Sequence, residues 1–176
     1  PDLTLESKAL FGRDMIDLGT NTSPTFADVN GDGLMDLVVG NETTYVPFGE
    51  RNGRLYLFLN IGTASSPEFE LTDENWLDFQ QYNSAAYDFI PTFADLDSDG
   101  DLDLYTGETN GHIFFVENIA GAGQPMDFAP IVPNYLDIDV GKISAPTFHD
   151  MDNDGLLDLL VGERNGNINF YKNIGT

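Results

Sequence analysis

Three short acidic stretches place oxygen-bearing side chains at a spacing that suits a metal ion. They are Asp28-Val-Asn30-Gly-Asp32-Gly33-Leu-Met-Asp36, Asp95-Leu-Asp97-Ser-Asp99-Gly100-Asp101-Leu-Asp103 and Asp150-Met-Asp152-Asn-Asp154-Gly155-Leu-Leu-Asp158. Each has Asp or Asn at relative positions 1, 3, 5 and 9, and glycine at position 6. A tight loop aims alternate side chains at one point, and the glycine supplies the sharp turn. A hard cation that takes about 6–8 oxygen ligands, Ca²⁺ above all, is the natural occupant.

The competing explanation is a set of Asx-rich turns, which Asp, Asn and Gly favour without any metal. A turn needs one such residue, however, and four carboxylates in one loop repel each other unless neutralised. The second and third loops carry four acidic groups each at the ligand positions and the first carries three, so the first is expected to bind more weakly. Mg²⁺ is the lesser option because it demands octahedral geometry and holds its waters. Zinc is disfavoured without cysteine or clustered histidine.

Steps from these loops to the rest of the chain follow a repeat. Each loop is preceded by Pro-Thr-Phe (from Pro24, Pro91 and Pro146) and followed by an apolar run closing on Gly40, Gly107 or Gly162. An Asn-Gly pair comes next (Asn52-Gly53, Asn110-Gly111, Asn165-Gly166), then a third run, Leu55 to Asn60, Ile113 to Asn118 and Ile168 to Asn173. Asn-Gly between short apolar runs is a strong hairpin signal. A fourth element, Pro-x-Phe or Pro-x-Leu, recurs at Pro67 and Pro1, and loosely from Pro125 to Phe128. With periods of 67 and 55 residues, about four short strands per unit predict an all-β chain of propeller blades, each four antiparallel strands. No segment sustains a helical apolar period, so helices are expected to be scarce.

The expected divisions are 1–19, the end of a preceding blade and its connection; 20–72, the first blade repeat; 73–130, the second, with an N-terminal insertion; and 131–176, the third, lacking its fourth strand. Three blades are too few to close a ring. The chain therefore reads as a segment of a larger propeller, its remaining blades supplied in cis or by association of copies.

Composition narrows the function. Of the 176 residues, 30 are acidic and 7 basic, giving a net charge of -23, which argues against nucleic acid or anionic membrane as partners. Eleven of the 30 acids are loop ligands, and three divalent ions would bring the net charge to about -17. The absence of cysteine excludes disulfides without deciding the compartment. No apolar run approaches a membrane span, and the start at Pro1, with neither methionine nor leader, is expected of a mature or excised piece.

The string Pro-Thr-Phe-x-Asp-x-[Asp/Asn]-x-Asp-Gly-x-x-Asp-Leu-x-x-Gly, present three times, resembles the FG-GAP repeat family and its VCBS-type relatives, the kind of loop carried by integrin α-chain propellers. The resemblance implies a seven-bladed β-propeller with calcium in the loop joining strands one and two of a blade. It implies adhesive, ligand-binding or scaffolding roles, secreted or at the cell surface. Polysaccharide lyases also carry similar repeats, so fold does not settle function. Carried over residue by residue, the sites are Asp28, Asn30, Asp32, Asp36 and the carbonyl of Leu34; Asp95, Asp97, Asp99, Asp103 and the carbonyl of Asp101; and Asp150, Asp152, Asp154, Asp158 and the carbonyl of Leu156. An EF-hand would need Glu at position 12. That position is Val39, Thr106 or Val161 here, so the position-9 aspartate closes each site.

The repeats also differ from one another. Gly40 to Asn52 spans 12 residues where the other two repeats span 3, and the enlarged loop holds Tyr45 and Phe48. Long loops on rigid scaffolds often bind ligands, although these aromatics could instead pack on a neighbouring blade. Trp76, with Phe79 and Tyr82, could form an aromatic platform or fill core between blades. His112 and His149 have no partner pattern, and Glu108 and Glu163 read as solvated or supporting residues. Nucleophile elbow, P-loop and dinucleotide fingerprints are absent. The sequence reading is thus a non-catalytic, calcium-stabilised adhesion or scaffolding segment with a protein or glycan ligand. The rival is a carbohydrate-binding propeller or the propeller part of a polysaccharide lyase.

Overall fold

The computed structural model describes residues 16–43 and 52–175. Each Pro-Thr-Phe run forms the first strand of a sheet: β1 (Ser23–Ala27), β5 (Ile90–Ala94) and β8 (Ala145–His149). Each glycine-ended run forms the second: β2 (Asp36–Gly40), β6 (Asp103–Gly107) and β9 (Asp158–Gly162). The runs after Asn-Gly form the third: β3 (Leu55–Asn60), β7 (Ile113–Val116) and β10 (Ile168–Tyr171), and β4 (Phe69–Asp73) completes the first sheet. All pairings are antiparallel, in the orders β1-β2-β3-β4, β5-β6-β7 and β8-β9-β10. Two short 3-10 turns, Phe79–Gln81 and Tyr135–Asp137, are the helical content among the described residues.

The proline of each first strand sits opposite the second strand, Pro24 at Val39, Pro91 at Thr106 and Pro146 at Val161. The first strand is an edge of its sheet, where a missing N–H costs no ladder bond. The expected fourth strand is complete only in the first sheet. In the second it is reduced to bridges at Phe115–Val132 and Asn118–Phe128. Pro125, Pro130 and Pro133 punctuate that segment, so only some positions can donate. Those that can do so: Ala129 N–H bonds the Glu117 carbonyl at 2.9 Å and Val132 N–H that of Phe115 at 2.8 Å.

The sheets stack as propeller blades stack, and they do not close into a ring among the described residues. β1 lies against β5 and β5 against β8, which aligns the first strands along a common inner side. Every residue of β2 and β6 is buried, as a near-continuous apolar run requires when both faces are covered. Between the first and second sheets, Phe79, Phe89 and Phe114 form a ring triangle with centroids 5.2–6.2 Å apart. Between the second and third, Tyr105 packs on Phe148 at 4.6 Å beside Ile113, Leu159 and Val161. Trp76, only 8% exposed, stands edge-on to Phe128 at 5.6 Å. It fills core, and Phe79 does the same, so neither offers an aromatic platform. Tyr82 is exposed.

The glycine closing each second strand has a packing reason. A Cβ on Gly40 would lie 2.0 Å from the Phe89 carbonyl oxygen, and one on Gly107 would lie 1.9 Å from that of Ser144. In both cases the chain entering the next sheet crosses directly over the glycine. Gly162 has no such neighbour, the nearest atom to its Cβ position being 3.8 Å away. Gly107→Ala is therefore expected to destabilise the chain by about 2 kcal/mol or more through overpacking. Gly162→Ala should be neutral or slightly stabilising through reduced unfolded-state freedom. Chemical denaturation of both variants checks this, and equal losses would remove the close-approach explanation.

Candidate metal centre

The acidic loops join first and second strands at one end of each sheet, and their local fold follows from side chains bonding nearby N–H groups. The position-1 carboxylate accepts from the residue at position 6 in all three: Asp28 from Gly33 (2.8 Å), Asp95 from Gly100 (3.1 Å) and Asp150 from Gly155 (2.9 Å). The position-5 aspartate accepts from position 7: Asp32 from Leu34, Asp99 from Asp101 and Asp154 from Leu156, at 2.8–3.1 Å. Position 6 is left-handed, with φ of +85°, +96° and +88° at Gly33, Gly100 and Gly155. Position 4 is left-handed too, at Gly31, Ser98 and Asn153, a requirement that the spacing of the acids does not announce.

Whether these residues suit a cation is best judged in the second loop. There Asp95, Asp97 and Asp99 bring one carboxylate oxygen each within 4.8 Å of the others. Asp95 Oδ1 is buried with no hydrogen-bond partner, whereas the corresponding oxygens of Asp28 and Asp150 accept the position-5 N–H at 3.1 Å. A buried, unpaired carboxylate oxygen aimed among other carboxylates is costly unless a cation meets it. Asp101, expected to contribute only its carbonyl, also buries its side chain. Its Oδ2 accepts from Gly121 N–H at 2.7 Å, its Oδ1 has no partner, and burial pushes its carboxyl up from the usual range. The residues of the second loop fit a hard cation.

In the third loop Asp150, Asp152 and Asp158 bring oxygens within 4.8 Å. Lys172, just past β10, reaches back to Asp152 and lies 3.4 Å from Asp154. Its ammonium partly neutralises this loop from inside the chain and holds the exposed Asp152 carboxyl below the usual range. In the first loop Asn30 spends its side chain on Asp32, accepting from its N–H at 3.0 Å and donating to its carboxylate at 2.9 Å. That loop is not among the described clusters of three acidic groups.

The position-9 aspartates have a structural duty that spacing alone does not reveal. Asp36, buried completely, accepts from Val29 N–H (2.9 Å) and from Asn60 N–H (2.8 Å) at the end of β3. Asp158 accepts from Met151 N–H and Asn173 N–H in the same way, and Asp103 from Asn118 N–H at 2.8 Å. Each carboxylate oxygen keeps a further lone pair for a cation. The Asn60 and Asn118 side-chain oxygens then accept from the N–H two residues on and from the returning chain, Glu68 N–H just before β4 and Asp127 N–H just before the Phe128 bridge.

The remaining candidates fall in different places. Tyr45 and Phe48 lie outside the described residues. Glu108, expected to be solvated or supporting, is fully buried. Its carboxylate accepts from Asn110 and His112 N–H and pairs with His112 Nδ1 at 3.3 Å, so it shapes the Asn-Gly turn. In that turn Gly111 is left-handed and Asn110 is not. Glu163 accepts from Asn165 and Asn167 at the matching turn. His149 ends β8, exposed.

Burial pushes the Asp103 carboxyl from 3.8 up to about 6, against the lowering effect of the Asn118 N–H. In calcium-depleted protein the folded chain thus keeps a proton that the unfolded chain releases. The associated stability is complete below about pH 4 and is lost as pH rises through about 6, a contribution on the order of 3 kcal/mol. Melting temperature measured across this window should fall with rising pH, and Asp103→Asn should flatten the fall. An unchanged slope in the variant would remove Asp103 as its source.

The chain matches no curated protein. No helix among the described residues is long and apolar enough to cross a membrane. Residues 20–58, which run from just before β1 through the first acidic loop and β2 into β3, match the family model described as the FG-GAP repeat.

Proposed function

We propose that the chain is a calcium-stabilised β-propeller segment that serves, without catalysis, as an adhesion or protein-interaction module outside the cell. The observation that carries the calcium reading is the buried, unpartnered Asp95 Oδ1 beside Asp97 and Asp99. The module reading rests on the FG-GAP match over residues 20–58, a repeat typical of extracellular proteins and of integrin-like propellers. The strongly acidic surface supports solubility and a partner other than nucleic acid.

Asp95, Asp97, Asp99 and Asp103, with the Asp101 carbonyl, would hold the ion in the second loop. Asp150, Asp152, Asp154, Asp158 and the Leu156 carbonyl would do so in the third. Asp28, Asn30, Asp32, Asp36 and the Leu34 carbonyl would do so in the first. When bound, calcium supplies the positive charge that offsets four clustered carboxylates. The chain's own part is to orient them: backbone N–H groups fix the position-1 and position-5 side chains, and the position-9 aspartate anchors the loop to the third strand. In the third loop Lys172 competes with the ion for Asp152 and Asp154.

Calcium at about 100 times its Kd for one site contributes about 2.7 kcal/mol, which raises the melting temperature by roughly 5–10 °C for a chain of this size. Asp95→Asn should reduce that gain while leaving the calcium-free melting temperature unchanged or higher, because it removes an unpaired buried charge. Thermal melts with and without calcium read both effects, and equal destabilisation in the two conditions would mean a metal-free Asx turn. Lys172→Met should raise the affinity of the third loop, seen as tighter calcium binding by calorimetry; an unchanged affinity would show that the ammonium does not compete. The module role is tested by calcium-dependent retention of the immobilised chain on extracellular-matrix proteins and glycans. Depolymerisation of a retained glycan would overturn the non-catalytic reading.

A further inference from the structure

The three repeats are alike in sequence but differ in how their third strand is covered. Leu55, Ile113 and Ile168 open that strand, and the first two are buried whereas Ile168 is 72% exposed. Phe58 and Val116 are fully buried, while Tyr171 at the same position is exposed and Phe170 before it is 53% exposed. In the first sheet β4 lies beside β3, and in the second the bridged segment lies beside β7. Among the described residues β10 is an outer edge. An apolar edge of this kind is a template for another strand.

The two covered edges use one recurring pair of bonds. In the first repeat Ile61 N–H bonds the Glu68 carbonyl at 2.7 Å, and Glu68 N–H returns to Asn60 Oδ1 at 3.1 Å. In the second Ile119 N–H bonds the Asp127 carbonyl at 2.7 Å, and Asp127 N–H returns to Asn118 Oδ1 at 3.1 Å. One acidic residue closes both bonds, and the Phe after it, Phe69 or Phe128, lies opposite the Asn. The third repeat carries the same receiving groups in Asn173-Ile174. Asn173 Oδ1 accepts from Gly175 N–H at 3.0 Å, as Asn60 does from Gly62 and Asn118 from Ala120. Among the described residues it receives no second N–H, and Ile174 N–H meets no carbonyl. Phe115 exchanges two backbone bonds with Val132, and its counterpart Phe170 has no such partner among the described residues.

The strand that fits this edge has a definable sequence: an acid whose N–H and carbonyl serve Asn173 and Ile174, then an apolar residue. In the first sheet Pro67-Glu68-Phe69-Glu70-Leu71 plays that part, and Pro1-Asp2-Leu3-Thr4-Leu5 has the same order of residue types. Of the 9 prolines, only Pro1 and Pro67 are followed by an acid. Residues 1–5 lie outside the described residues. The segment leads into the first sheet, where Thr20 bridges Thr43, whereas the open edge belongs to the third. The second sheet stands between them, β1 against β5 and β5 against β8. Head-to-tail contact of two copies brings the segment of one to the edge of the other.

We propose that the outer edge of β10 docks residues 1–5 of a second copy of this chain, added antiparallel as the fourth strand of the third sheet. Asp2 then gives its N–H to Asn173 Oδ1 and its carbonyl to Ile174 N–H. Leu3 lies opposite Asn173, as Phe69 lies opposite Asn60. Main-chain bonds give such strand addition its affinity, and alternate side chains its choice of strand. Exchange in both directions joins two copies with six sheets, within the roughly 4–8 of closed propellers. The contact uses none of the loop carboxylates, so it goes beyond the calcium and module readings and does not rest on them.

The test is sedimentation velocity of the full chain in calcium over a concentration series, which should show a monomer–dimer equilibrium. Asp2→Pro removes the N–H that meets Asn173, and Ile174→Pro removes the one that meets Asp2. Each should weaken dimerisation by about ten-fold or more, the loss of one backbone bond at each of two contacts. Asp2→Ala keeps the N–H and should dimerise nearly as well as the parent chain. A synthetic peptide of residues 1–6, added in excess to the parent chain, should dissociate the dimer, and the same peptide carrying Asp2→Pro should not. The peptide arm needs no variant of the protein to fold, and a calcium-dependent melt shows that each variant does. A chain that is monomeric at every concentration would overturn the proposal. So would a dimer indifferent to Asp2→Pro, to Ile174→Pro and to the peptide.

Discussion

A buried aspartate in each repeat ties the acidic loop to the far end of the third strand, and the rest of the blade is arranged around that tie. Asp36, Asp103 and Asp158 are nearly or fully buried, and each accepts an N–H from the residue that ends or follows the third strand. Burying a carboxylate is costly unless its lone pairs are met. Here the cost is met by groups drawn from elements distant in sequence, 24 residues apart for Asp36 and Asn60. The same bond therefore fixes the loop, the register of the second and third strands, and the position of the Asn that receives the fourth. Removing it would leave a buried N–H and a buried carboxyl together, more than either alone.

Against this fixed loop, the stacking of sheets rests on space rather than charge. Gly40 and Gly107 let the chain entering the next sheet pass over the end of the second strand, and the aromatic groups around Phe89 and Tyr105 fill the gap that remains. The two constraints lie at opposite ends of the second strand. Asp at its start holds the loop end, and Gly at its close admits the neighbour. A five-residue strand that begins Asp-Leu and ends in Gly thus carries both instructions of the repeat.

Much of this was legible in the sequence because the repeat supplied three independent copies of each signal. The Pro-Thr-Phe, glycine-ended and post-Asn-Gly runs all became strands in the anticipated order, and the Pro-Thr-Phe proline falls on an edge as its missing N–H requires. What escaped were properties that depend on partners remote in the chain. Nothing local tells that Glu108 is buried, since its shielding comes from the next repeat: Ser144 bonds its backbone. Trp76 was ambiguous for the same reason, its edge-on contact being with Phe128. The left-handed position 4 could have been suspected from Gly31 and Asn153, but Ser98 carries no such hint.

The charge of the molecule is divided along the strands, and the division bears on how the two ends can be used. The loop end gathers twelve acids in three loops, where the only described cation is Lys172. The opposite end, where a cavity of about 410 Å³ opens at the meeting of the repeats, gathers Lys142 and Arg164. At physiological ionic strength fields are screened beyond about 8 Å. The local charge at the cavity end is therefore set by Lys142 and Arg164 together with Glu42 and Asp88, more than by the distant loops or the net charge of -23. The acidic end meanwhile concentrates divalent cations by the same local rule. The two ends of the strands thus differ in local charge, carboxylates gathered in loops at one and cations mixed with acids at the other.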